Sequence, residues 1–224
     1  MKHLIYVIAF GISLILCRIY EKKIDKSVKK NRVIWSVLIL APAILLASFR
    51  YGIGIDYFGY QTQVRELKGF SHYYIREPIN YLILIIAKLC FSSVNIYFFL
   101  YAVLTTAITF KAIEYFKEKI SITLSLFIYY MTYFLVAFNI TRQLLAVAII
   151  LYGIRYIYEK NLKKYLICVI IATMVHKISI AMIILYFLNN HLKFFIGYKE
   201  GKKERFTKIN FIKNKKNFPF ILYE

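Results

Sequence analysis

Five residues able to move a proton or hold an anion stand at the edges of apolar runs: Arg50, Asp56, Glu77, Arg142 and His176. Arg142 lies in "FNITRQLLAVAI", where Asn139, Thr141, Arg142 and Gln143 interrupt two apolar stretches. Asn139 or Thr141 is the expected N-cap of the helix that follows. An arginine in a first turn opposes the helix macrodipole, whereas an anion beside it would satisfy both the arginine and the helix end. The alternative is a loop arginine that snorkels to an interface. His176, in "ATMVHKISIAM", offers an imidazole that could serve as acid, base or hydrogen-bond partner, or that simply bonds to a neighbouring helix. In "RYGIGIDYFGY", Gly52 and Gly54 permit positive φ or close backbone approach beside Asp56. Asp56 is either a base or the salt-bridge partner of Arg50. Glu77, in "REP", is favoured at a helix start on electrostatic grounds alone, and Pro78 suits the first helical turn.

The rest of the chain is built to carry these residues in a bilayer. It has 224 residues, 60% of them hydrophobic, and a mean hydropathy of +0.58, values that predict an all-α, polytopic transmembrane bundle. Apolar runs fall near 3–17, 33–49, 78–93, 95–112, 120–138, 143–158, 165–175 and 177–190, without the strict alternation of a membrane barrel. The net charge of +20 would suggest nucleic acid in a soluble chain. Here the lysines cluster between and after apolar runs, so membrane orientation explains them and no nucleic-acid partner is expected. The first run is an uncleaved helix, because Leu16 before Cys17 is too large for a cleavage site. Pro42 should kink the second. Cys17, Cys90 and Cys168 are isolated and read as small apolar residues. His3, His72 and His191 have no ligand spacing with one another, so neither metal nor cofactor is expected.

Lys and Arg set the orientation. Segment 18–32 holds seven basic and two acidic residues and is expected in the cytoplasm, with segment 155–164 and the basic tail 191–224. Loop 50–77, with four basic and three acidic residues, is expected outside. If both 78–93 and 95–112 crossed, Lys111, Lys117 and Lys119 would fall on the wrong side. The conflict disappears if 78–112 makes one net crossing, with 78–93 short or re-entrant. Residues 165–190 then form a hairpin of two short helices with His176 at the outer turn. This topology makes 1–190 a transmembrane domain and brings all five residues to one face. The stretch Tyr57–Tyr74 suits either a sugar-binding surface or an interfacial helix.

Four stretches, "RYGIGIDYFGY", "REPINYLIL", "NITRQLLAVAI" and "ATMVHKISIAM", resemble in order and spacing the EpsG family, which is associated with exopolysaccharide and capsule synthesis and is similar to Wzy-type polymerases. The matching residues are Arg50, Gly52, Gly54, Asp56, Tyr57 and Tyr60; Glu77 and Pro78; Arg142, Gln143 and Ala146; and His176, Ser179 and Ala181, the last after an intervening Ile180. The resemblance implies a bacterial multi-pass cell-membrane protein that joins oligosaccharide repeat units carried on polyprenyl diphosphate. On this reading Asp56 or His176 is the base, and Arg50, Glu77, Arg142, Gln143, Tyr57 and Tyr60 bind substrate. Membrane lipid and other polysaccharide-synthesis proteins are the expected partners. The alternatives are a flippase for the lipid-linked oligosaccharide and a non-catalytic membrane subunit of a synthesis complex. Family members continue with further spans after the histidine motif, so a truncated member is expected here.

Overall fold

The computed structural model describes residues 2–23, 31–67 and 76–188; His72, most of the Tyr57–Tyr74 surface beyond Leu67, and the basic tail 191–224 lie outside them. The chain divides into two compact units, Met1–Met182 and Ile183–Glu224, and of the second residues 183–188 are described and helical.

The described residues are all-helical. The elements are α1 (Lys2–Lys23), α2 (Arg32–Ser48), α3 (Tyr57–Arg65), α4 (Pro78–Leu89), α5 (Val94–Tyr115), α6 (Ile122–Tyr129), α7 (Thr141–Tyr158) and α8 (Leu162–Val175). The end of α6 loosens into a π-helical stretch, Tyr130–Phe134, and a 3-10 turn, Val136–Phe138. A second 3-10 segment, Lys177–Ile183, follows α8. Pro42 lies inside α2, which runs through it without a break.

Among the described residues, two helices are long and apolar enough to cross a membrane unaided, Leu4–Lys23 and Val94–Tyr115. The 22 residues of α5 reach about 33 Å, whereas the 12 of α4 reach only about 18 Å, short of a hydrocarbon core of about 30 Å. The piece expected to be short is therefore α4. Leu4, Ile8, Ile15, Val33, Val37 and Ile167 are exposed, an apolar perimeter that water would not tolerate and lipid would.

The interior of the first unit is aromatic and small-residue packing with a few polar ties. Ala43 and Ala47 of α2 are buried with Phe10, Tyr130 and Phe134, because small side chains let helices approach closely. Ser13 Oγ–H donates to the Ile39 carbonyl (2.6 Å) and lies 2.7 Å from Tyr130 Oη, tying α1 to α2 and to the π turn. A Cβ on Gly153 would meet Cys168 at 3.1 Å, so α7 and α8 approach at a glycine–cysteine contact. The free cysteines Cys17 and Cys168 are buried as packing residues.

Helix direction sorts the polar residues to two ends. Tyr20 packs on Trp35 and Phe110, so the end of α1, the start of α2 and the end of α5 meet. Arg50, just past α2, lies over Phe98 near the start of α5, which marks the opposite end.

Candidate functional site

Glu77 is the hub of the second end. It is the N-cap residue of α4, yet its carboxylate makes no capping bond. Pro78 at the first turn supplies no N–H, so a local partner is missing from the start. The side chain turns away from its own helix. Arg142 Nη1 donates to Oε2 at 2.6 Å, His176 Nδ1 lies 3.1 Å from Oε1, and the Lys177 N–H donates to Oε1 at 3.3 Å. Glu77 is 4% exposed, so the carboxylate is desolvated and its donors are what offset that cost.

Each donor is delivered by a helix end. Arg142 is the second residue of α7. His176 breaks α8 in an extended conformation (φ −148°, ψ 112°), its N–H still donating to Ala172 and its carbonyl accepting from Ser179. The break lets ring and following amide reach one carboxylate. A carboxylate only accepts, so Nδ1 of His176 carries the proton that faces Glu77, and in the neutral ring Nε2 is then an acceptor. An arrangement of this kind can take a proton from a hydroxyl.

Two expectations about the neighbouring residues change. Neither Asn139 nor Thr141 caps α7: Ile140 holds the cap position, and Thr141 Oγ1–H donates back to Ala137. Asn139 instead ties down the 50–60 segment, its Oδ1 accepting from Ile55 N–H (2.7 Å) and its carbonyl from Tyr60 Oη (2.8 Å). Second, the close approach that Gly54 permits is made by the chain itself. Gly54 has φ +103°, and a Cβ there would sit 2.8 Å from the Phe138 carbonyl oxygen. No sequence signal pairs Asn139 with residues 84 and 79 positions away.

Arg50 and Asp56 are not salt-bridged to each other. The Arg50 guanidinium lies between the rings of Phe98 (3.8 Å) and Phe138 (4.3 Å). It is 4% exposed, and its Nε and Nη2 have no hydrogen-bond partner among the described residues. Burial pulls it down to about 10, which leaves it charged at neutral pH. It borders a cavity of about 20 Å³ and also an apolar groove of about 480 Å³ between α1 and α2, lined by Ile5, Tyr6, Leu45 and Leu46. Asp56 is exposed at the start of α3, without a side-chain capping bond.

A protein-family model matches residues 32–197, described as the EpsG family. The chain belongs to the EpsG family. No curated protein and no solved structure matches the chain. Membership associates this EpsG-family chain with polysaccharide biosynthesis and, with its apolar helices, makes it a membrane protein.

The remaining motif residues of this EpsG-family chain divide by burial. Tyr57 is buried against Tyr51, Phe58 and Phe98. Tyr60 stacks on Tyr97 (5.4 Å), and burial raises its phenol above the ordinary value, with Thr141 and Arg142 opposing. Gln143 is exposed, and Ala146 is buried in α7. Sequence reasoning did not single out Asn80. It is fully buried, and its Oδ1 accepts from Tyr101 Oη (2.9 Å) and Tyr97 Oη (3.4 Å), fixing the first turn of α4 against α5 beneath Glu77. Among the described residues no three His, Cys, Asp or Glu side chains come together as a metal site.

Proposed function

We propose that this chain is a polysaccharide polymerase that joins oligosaccharide repeat units carried on polyprenyl diphosphate at the outer face of a bacterial cell membrane. The observation that carries the reading is the single buried carboxylate of Glu77 holding both Arg142 and His176. His176 is the general base. Its Nε2 takes the proton of the attacking sugar hydroxyl, whose oxygen forms the new bond to the anomeric carbon. The bond from that carbon to the diphosphate oxygen breaks, and the polyprenyl diphosphate leaves with the electron pair. Glu77 orients the imidazole and stabilises it once protonated, and Arg142 fixes Glu77.

Arg50 binds the diphosphate. Its buried, uncompensated charge is matched by an anion that a lipid chain in the α1–α2 groove would bring to it. Asp56 and Gln143, both exposed, are assigned to the sugar-binding surface, and the buried Tyr57 and Tyr60 support it from beneath. The chain is read as a polytopic bundle of 1–190 with this end outside, because Lys22, Lys23, Arg32, Lys111 and Arg155 belong to the helix ends at the opposite face. On that topology α4 does not complete a crossing. In cells whose own copy is replaced by His176→Gln, single lipid-linked repeat units should accumulate; polymer of normal length there would reject the assignment.

A further inference from the structure

A second polar site lies at the other end of α5 from Arg50. Phe98, over which Arg50 stacks, and Lys111 are separated by about 20 Å of helix. There a pocket of about 360 Å³ is lined by Arg32, Lys111, Lys117 and Arg155, with Glu114 as its one acid. Glu114 is occupied, accepting from the Tyr20 hydroxyl. Among the described residues no ion pair within 4.0 Å joins Glu114 to any of the four cations; Lys117 reaches instead to the exposed Glu118 (3.5 Å). The Nε atoms of Arg32 and Arg155 are buried without a partner among the described residues.

Arg155 is held in place as well as charged. Its guanidinium lies 3.8 Å from the Tyr152 ring and 4.3 Å from the Tyr156 ring, and Nη2 donates to the Tyr156 hydroxyl. Stacked, pre-oriented guanidinium beside compact ammonium groups is the donor set that phosphate oxygens satisfy. Four cations from α2, the end of α5, the turn after it and α7 outnumber the one lining carboxylate, Glu114, and their mutual repulsion is relieved by a further anion among them. The adjacent surface of α2 is apolar and exposed at Val33, Ile34 and Val37, which gives acyl chains a place beside the pocket.

We propose that this pocket binds a phosphate group, such as an anionic phospholipid or a dissolved phosphate compound presents, independently of the Glu77 site. The test uses the full chain in detergent, with bound lipid measured by native mass spectrometry against phosphatidylglycerol and phosphatidylcholine. Lys111→Gln with Lys117→Gln should weaken phosphatidylglycerol binding about 25-fold, since each basic side chain near an anionic surface contributes about five-fold. Phosphatidylcholine binding should not change, and Lys111→Arg with Lys117→Arg should restore the preference in a chain of the same shape. Displacement of phosphatidylglycerol by millimolar inorganic phosphate would assign the pocket to dissolved phosphate, and resistance to it would assign a lipid headgroup. Equal binding of the two lipids, or unchanged phosphatidylglycerol binding in the glutamine variant, would overturn the proposal. Polymer formation is not the readout, so that result would leave the polymerase reading untouched.

Discussion

Arg142 and Arg50 stand at the same end of the helices and are kept there by opposite means. Arg142 has a carboxylate at 2.6 Å, and that carboxylate is shared with an imidazole and a backbone amide. Arg50 has aromatic faces on both sides and two nitrogens with no partner among the described residues. Cation–π contact offsets part of the desolvation of a guanidinium but supplies no counter-charge. The difference separates holding from binding. Arg142 has an internal anion in Glu77, whereas Arg50 has no counter-ion among the described residues; under the proposed function Arg142 positions Glu77 and, through it, His176, and Arg50 takes a ligand anion.

The comparison breaks most easily at Glu77. Glu77→Gln removes the charge that Arg142 and His176 share, and should lower stability by about 3 kcal/mol and abolish polymer formation, measured by denaturant unfolding in detergent and by polymer length in cells. His176→Gln should separate the two effects: activity down by a hundredfold or more, stability nearly unchanged, because the glutamine amide can still donate to Glu77 while the base is lost. Arg50→Met sharpens the contrast from the other side. A buried charge without a partner is replaced by an apolar chain, so thermal stability should hold or rise, while the KM for the lipid-linked donor rises at least about tenfold through loss of a charge-assisted contact. A matching loss of stability in Arg50→Met would make Arg50 a structural residue like Arg142.

Smaller effects test the segment that lies between the two arginines. Gly54→Ala should destabilise by about 1–3 kcal/mol, since φ +103° and a 2.8 Å approach to the Phe138 carbonyl both exclude a Cβ. Asp56→Asn, at an exposed position, should leave stability within about 0.5 kcal/mol and raise the KM by about fivefold, through the loss of one sugar hydrogen bond. A hundredfold loss of activity there would move the role of base from His176 to Asp56.

The helices themselves were legible, because apolar runs and their basic flanks are local properties. The short run at 78–93 appears as the 12-residue α4, and the break expected at His176 is present as extended backbone. Glycines at 52 and 54 were expected to allow positive φ and both have it. The caps were misread at Asn139, because its side chain meets Ile55 rather than its own helix. Glu77 was undervalued for a related reason. An acid at a helix start has a sufficient local explanation, and that explanation does not apply once Pro78, which has no N–H, leaves the buried carboxylate to residues 65 and 99 positions away.

By itself the sequence determined that the chain is helical, apolar and strongly basic, where its polar residues interrupt the apolar runs, and which family its motifs resemble. These follow from composition and from spacings of a few residues, over which side-chain periodicity and helix-end chemistry act. Only the tertiary structure decided that Glu77 joins Arg142 to His176, that Arg50 lies among aromatic rings with no counter-ion from the described residues, and that four cations from separate elements share one pocket. Hydrogen bonds and ion pairs act over about 3–4 Å, and the pairs that come that close are chosen by how whole helices pack.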